Sequence, residues 1–313
     1  LTLLVTAALG QMGSPGGGET QAIALHPTDV NILYAGAAKG LCKTTRGGKD
    51  NWPSTGLENV SPRVIVLDPA NPETIYTGTY EMGVYKSTDG AKSWQHASRG
   101  ITNLRVRALL ARPGVLSAGT DGGGIFRSCD GAASWVEINR GLLDKAVRAL
   151  VADPRYPKVL YAGTWHGVYK SEDGGEHWSV DPNGLYDVDV AALAIGPDGA
   201  IFAGTNPRGV FRSHDGGRTW LKSDRPLTEV IQSIAIDPGN AQHVYAGTRA
   251  GVFRSIDGGR SFESAGLRWS NSAWTLVFDP KTTPATLYYG GVGGVLKTTS
   301  GGKWWDVTGP VRP

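Results

Sequence analysis

The stretch FRSHDGGRTW, Phe211–Trp220, places an imidazole, a carboxylate, a guanidinium and a hydroxyl close together in His214, Asp215, Arg218 and Thr219. Such a set could perform acid–base or nucleophilic chemistry, in which a carboxylate orients a base beside a hydroxyl. Chemistry needs one constellation of this kind, whereas repetition marks architecture. The stretch is repeated: YKSTDGAKSW ends at Trp94, FRSCDGAASW at Trp135, YKSEDGGEHW at Trp178 and FRSIDGGRSF at Phe262. Weaker copies, LCKTTRGGKDNW ending at Trp52 and LKTTSGGKWW ending at Trp305, stand one period outside each end. The carboxylates Asp89, Asp130, Asp173, Asp215 and Asp257 recur at a period of about 42 residues, within the range of propeller blades.

Other chemistries fail on residue counts. Only one carboxylate position recurs from loop to loop, against the roughly six to eight oxygens that calcium takes. The Gly-Gly-Lys runs at 47–49 and 301–303 lack the earlier glycine of a phosphate loop. The six histidines show no HExxH spacing, and there is no GxSxG nucleophile elbow. Cys42 and Cys129 fall at non-equivalent places in the first and third repeats, so they are expected as free thiols and not as a disulfide. No cofactor and no metal site is expected.

Positioning such turns requires many short strands. In the fourth repeat, KAVRALVADP is an apolar run closed by Asp-Pro, KVLYAGT is β-branched and aromatic, GVYKS alternates into the DGG turn, and a last strand follows Trp178. The second of these recurs as LYAG, IYTG, LSAG, LYAG, IFAG, VYAG and LYYG, so seven four-stranded meanders are expected. Arranged radially, they make an all-β, seven-bladed propeller over residues 20–313 as one domain, which leaves only short edges. Forty-five glycines and eighteen prolines suit so many turns. In each turn, Ser and Asp can bond nearby amides, Gly can take a positive φ, and the aromatic (Trp94, Trp135, Trp178, Trp220, Phe262) can pack between sheets.

The pattern S-x-D-x-G-x-T-W, carried by Ser213, Asp215, Gly217, Thr219 and Trp220, resembles the Asp-box or BNR repeat. Ala91 and Ala132 replace the Gly, His177 replaces the Thr, and Arg46 and Ser300 stand where the outer copies lack Asp. The resemblance spans residues 20–309. Proteins with this repeat include sialidases, xyloglucan-cleaving glycosidases, sortilin-type receptors and the photosystem II stability/assembly factor propellers.

In an up-and-down blade the Asp turns share a face with the loops joining first to second strands. The loops joining second to third strands lie on the opposite face, and there the sequence stops repeating. These read AAKG, TYEMG, TDGGG, TWHG, TNPRG, TRAG and GVGG, and they carry Tyr80, Met82, Trp165, His166, Arg208 and Arg249 as large or charged candidate contact residues. Aligned on the Pro that ends the first strand, the residue six before it is Gln21, Arg63, Arg107, Arg148, Ala191, Gln232 and Trp274. Three arginines in consecutive blades, joined by Arg105, make a basic arc at the axial mouth facing Trp269 and Trp274. The alternative is that the arginines pair with local carboxylates such as Glu81 or Asp144.

Sialidases hold a substrate carboxylate with an arginine triad, which invites comparison with Arg63, Arg107 and Arg148. There is no Arg-Ile-Pro signature and no Tyr/Glu nucleophile pair beyond the adjacent Tyr80 and Glu81, and glycosidases generally need two carboxyls in a cleft. The assembly-factor resemblance implies instead a non-catalytic scaffold docking on a membrane protein complex with an acidic exposed surface. The alternative is a secreted glycan- or peptide-binding propeller. A net charge of +3 is too small to argue for nucleic acid. The uncharged LTLLVTAALG at residues 1–10, within an N-terminal segment 1–19, reads as leader remnant, membrane tether or extra strand and points to an extracytoplasmic location.

Overall fold

The structure, a computed structural model, describes residues 19–49, 52–180, 184–224, 227, 229–268 and 272–308. Trp269 and the apolar N-terminal stretch lie outside the described residues. Seven sheets follow one another along the chain, each an antiparallel meander paired in chain order. Six have four strands. The first has three, Thr20–Leu25, Leu33–Ala37 and Gly40–Thr44, with an isolated bridge between Cys42 and Ser54 where a fourth strand was expected. Pro53 sits in that pairing and has no N–H to give, which cuts the ladder short.

The first strands of the sheets are Thr20–Leu25, Pro62–Leu67, Val106–Arg112, Val147–Ala152, Asp189–Ile195, Ile231–Asp237 and Ala273–Asp279. Each packs against the next, and the last packs against the first, so the sheets form a closed ring of seven blades. Among the described residues, blades one and seven are joined by packing and not by a shared ladder, each being built from consecutive strands. The repeated glycine of the second strand makes the close inner packing possible. A Cβ on Gly204 would stand 2.4 Å from the Ile231 side chain of the next blade, and one on Gly78 would stand 2.6 Å from Val106.

The core is divided into seven clusters, each shared by two neighbouring blades and each holding one of the repeated aromatics. Trp135 and Trp178 are buried and donate from Nε1 to the carbonyls of Ala97 (2.8 Å) and Ile138 (2.9 Å) in the preceding blade. Trp305 does the same to Ala265 (2.7 Å). Trp220 differs, donating to Gly217 in its own turn while its ring still packs on the cluster between blades four and five. The basic residue of the third strand adds a second tie. Lys43, Lys86, Arg212 and Arg254 donate to the carbonyls of Gly90, Gly131, Gly259 and Gly301 in the next blade's turn.

Inside each turn the carboxylate is the acceptor hub. Asp215 takes bonds from Ser213 Oγ (2.8 Å), the Thr219 amide (2.9 Å) and Thr219 Oγ1 (2.5 Å), while Ser213 Oγ accepts from the Gly217 amide (2.9 Å). His177 takes over the hydroxyl's part in the fourth blade, with Nδ1 2.6 Å from Asp173. Ala91 and Ala132 stand where other turns have Gly and keep positive φ values of 71° and 69°, a strained conformation for a residue with a Cβ. The FRSHDGGRTW stretch is therefore held as a turn.

These bonds have a pH signature. The hydroxyl and amide of Thr219 lower the Asp215 carboxyl from an ordinary 3.8 to about 2, and those of Ser134 do the same for Asp130. At Asp257 burial pulls the other way, but the bonds from Ser255 and Ser261 outweigh it, and the value is again about 2. A folded-state value below the unfolded one stabilises above the unfolded value and is lost as pH falls through the folded one. Thermal stability is therefore expected to fall cooperatively as pH drops from about 4 towards 2. In a scan of melting temperature against pH, Asp215→Asn should show a shallower acid limb than the parent chain.

Candidate functional site

In every blade the first strand breaks register with the second near its start. The shifts fall between Thr20 and Ala22, Pro62 and Val64, Val106 and Ala108, Val147 and Ala149, Val190 and Ala192, Ile231 and Ser233, and Ala273 and Thr275. The skipped residues are Gln21, Arg63, Arg107, Arg148, Ala191, Gln232 and Trp274. A bulge leaves one residue unpaired and re-aims its side chain. All seven line a single cavity of about 260 Å³, joined by Asn206, Val230 and Arg249. Residues from seven radially arranged blades can share one cavity only at the axis, and their places early in the first strands put it at the face opposite the Asp turns.

The bulge had a signal in the sequence. Val147 and Leu150, Val190 and Leu193, and Ile231 and Ile234 are buried at a spacing of three, where uninterrupted alternation would bury residues two apart. The odd spacing turns the intervening polar residue towards the axis.

The arginine arc is partly neutralised, Arg105 by the expected Glu81 and Arg107 and Arg148 by carboxylates that the sequence did not suggest. Arg107 pairs with Asp121, its Nη2 and Nε 2.9 and 3.3 Å from Oδ2. Arg148 pairs with Asp189, which also accepts from Asn206 Nδ2 at 3.3 Å. Glu81 meets Arg105 at 3.8 Å, whereas Asp144 holds His166 at 3.0 Å and no arginine of the arc. Asp189 occupies the structural position of Arg105, two residues before the bulge, and Asp121 comes from the second-to-third loop of blade three. Both were missed because the pairing crosses strands or blades and leaves no local spacing.

Arg63 is different. Among the described residues no carboxylate pairs with it, and its buried Nε has no hydrogen-bond partner. Its guanidinium lies 4.9 Å from the centre of the Tyr80 ring, which Arg107 and Arg105 also approach, at 5.4 and 5.6 Å. Burial above all, and then the charge of Arg107, lower Arg63 below the usual guanidinium range, against opposing pulls from Tyr80 and Glu19. A guanidinium stays charged in proteins, so Arg63 is a partly desolvated cation without an ion-pair partner among the described residues. Gln232 Oε1 and Trp274 Nε1, on the same cavity, are also buried without partners among the described residues. The mouth can thus hold a small anionic group, offering donors from Arg63 and Trp274 beside the ion-paired Arg107 and Arg148.

The remaining candidates separate. Arg249 lines the cavity, whereas Trp165, His166 and Arg208 are exposed on the surrounding loops. The carboxylates of the Asp turns lie on the other face, away from the mouth. Cys42 is buried, its thiol pushed up to about 11 by burial, and Cys129 is exposed, so no disulfide joins them. Among the described residues no group of three His, Cys, Asp or Glu could hold a metal ion, and no helix is long and apolar enough to cross a membrane.

No protein-family model and no curated protein matches the sequence. Solved structures do match. The GH74 enzyme of Niastella koreensis aligns with a TM-score of 0.73 at 17% identity over 95% of this chain, which spans 54% of that enzyme. YCF48 from Cyanidioschyzon merolae aligns with a TM-score of 0.69 at 15% identity, covering 90% of this chain and 94% of that one. A structure of YCF48 bound to D1 peptide aligns with a TM-score of 0.69 at 17% identity over 92% of this chain and 94% of that one.

The chain is a seven-bladed β-propeller. The likeness at these identities is one of fold. The propeller spans about half the length of the GH74 enzymes it matches and nearly the whole of the YCF48 chains.

Proposed function

We propose that this propeller is a non-catalytic scaffold or accessory protein that takes an acidic segment of a protein partner into its axial mouth. The observation that carries the proposal is Arg63, a cation held on Tyr80 with no ion-pair partner among the described residues, one of the seven residues that the bulges turn to the axis. A buried charge left unpaired is costly, and an anion from outside would offset that cost. The YCF48 structure with a bound D1 peptide supports a peptide as the occupant, since that chain matches this one along nearly its whole length. The sequence resemblance to assembly-factor propellers extends the proposal to a membrane protein complex with an acidic surface, met on the extracytoplasmic side.

A glycosidase would need two carboxyls facing a sugar across a cleft. Here Asp121 and Asp189 at the mouth are each engaged by an arginine. The test is capture by the immobilised full chain at low salt. The parent should retain its partner from a native extract and release it at high salt, whereas replacing Arg63, Arg107 and Arg148 together by Ala should abolish capture. Unchanged capture by the triple variant would sink the proposal, and hydrolysis of a fluorogenic sialoside or β-glucoside would replace it with an enzymatic one.

A further inference from the structure

Eleven large apolar side chains are exposed among the described residues. Single exposed apolar residues are ordinary, and only their clustering carries information. Val30 and Tyr156 lie in first-to-second loops, Ile256 and Trp304 in the third-to-fourth turns, and Val136 and Leu221 in outer strands. The other five, Met82, Leu104, Leu143, Trp165 and Tyr186, lie on the face of the axial mouth, in the loops and crossings of blades two to five. Leu143 is 82% exposed and the other four between 39% and 59%. Among the described residues, the same face has no exposed large apolar side chain in the second-to-third loops of blades five, six, seven and one.

Backbone contacts tie the five into two groups. The Gly83 amide donates to the Leu104 carbonyl at 2.9 Å, which sets Leu104 beside the Met82 loop. Tyr186 bridges Gly167, and the Asp187 amide donates to the His166 carbonyl at 3.0 Å, which sets Tyr186 beside Trp165. Asp144 accepts from both the amide (2.9 Å) and the ring of His166, which draws the neighbouring Leu143 to the same loop. Between the two groups stands blade three, whose loop Asp121–Gly124 has only glycines after the aspartate that holds Arg107.

We infer that the second determinant of this partner is apolar. The occupant is an extended segment whose acidic residue enters the mouth at Arg63 and whose flanking large apolar side chains spread over blades two to four, against Met82 and Leu104 on one side and Leu143, Trp165 and Tyr186 on the other. The inference rests on the anion-binding role of the mouth and adds a direction to it, because among the described residues the exposed large apolar side chains of this face lie in the sector of Arg63, Arg107 and Arg148. Charge complementarity places the acidic end, and the one-sided apolar sector gives the path by which the chain leaves. The short glycine loop of blade three lets a backbone pass at close range. Trp and Tyr at the rim are residue types that carry interface energy.

The probe is a random dodecapeptide phage library selected on the full chain, on a Trp165→Ser/Tyr186→Ser variant and, as a milder change, on Leu143→Ser. The parent chain should select peptides with an acidic residue flanked by large apolar ones. The double variant, whose replaced side chains are exposed and whose melting temperature should not move, should still select the acid but lose the apolar flank. A peptide chosen by the parent should bind the double variant about thirtyfold more weakly. Acidic peptides without apolar enrichment would overturn this inference and leave the role of the mouth standing, whereas peptides without acidic enrichment would overturn that role. Co-sedimentation of the chain with vesicles of equal parts phosphatidylglycerol and phosphatidylcholine, lost in the double variant, would make this face a membrane surface and overturn the peptide path.

Discussion

Trp178→Ala should cost about 3–5 kcal/mol of unfolding free energy, read as a lower midpoint in chemical denaturation. The indole is 3% exposed and packs in a cluster that draws Ala108, Ile125 and Ile138 from blade three and Val147, Leu160 and Tyr169 from blade four. Removing it leaves a void between two sheets that can approach only by moving the whole ring. It also strips the Ile138 carbonyl of its 2.9 Å bond, and a buried acceptor without a partner adds its own cost. Trp304→Ala, at an indole 61% exposed, should change stability by less than about 0.5 kcal/mol. Equal effects at the two positions would mean that the repeated aromatics do not join the blades.

The second large effect separates stability from binding at the mouth. Arg63→Gln should leave the melting temperature unchanged or raise it, because it removes a charge on which burial and the repulsion of Arg107 outweigh the pulls of Tyr80 and Glu19. It should at the same time weaken binding of an acidic peptide about thirtyfold to a hundredfold, the range of a central hot-spot residue. Arg107→Gln should instead destabilise by about 1–3 kcal/mol, since Asp121, 15% exposed, loses its 2.9 Å partner. An arginine retained for packing alone would show the reverse order.

How much of this was legible in the sequence depends on range. The blades were legible because Ser, Asp and Trp recur at one spacing and each acts within a single turn. The axial ring was legible because a repeat alignment equates positions whatever their conformation, which brought Arg63, Arg107, Arg148, Gln232 and Trp274 to one place before any geometry. The bulge that turns them inward is written only as an apolar spacing of three, easily read as imperfect alternation. Asp121 and Asp189 were not legible as the partners of Arg107 and Arg148, because the contacts join residues 14 and 41 positions apart. The missing fourth strand of blade one was foreshadowed by Pro53 and by the loss of Asp at Arg46.

The central claim, that the mouth receives an anion through Arg63, is tested most directly by the anisotropy of a labelled oligo-aspartate peptide titrated with the parent chain and with Arg63→Gln over a range of salt. A control variant, Lys222→Gln/Lys303→Gln, removes two exposed cations outside the mouth. Binding by the parent and the control should be comparable and should fall steeply with salt, while Arg63→Gln should bind weakly at every salt concentration. Equal binding by the parent and Arg63→Gln, with loss only in the lysine variant, would contradict the account.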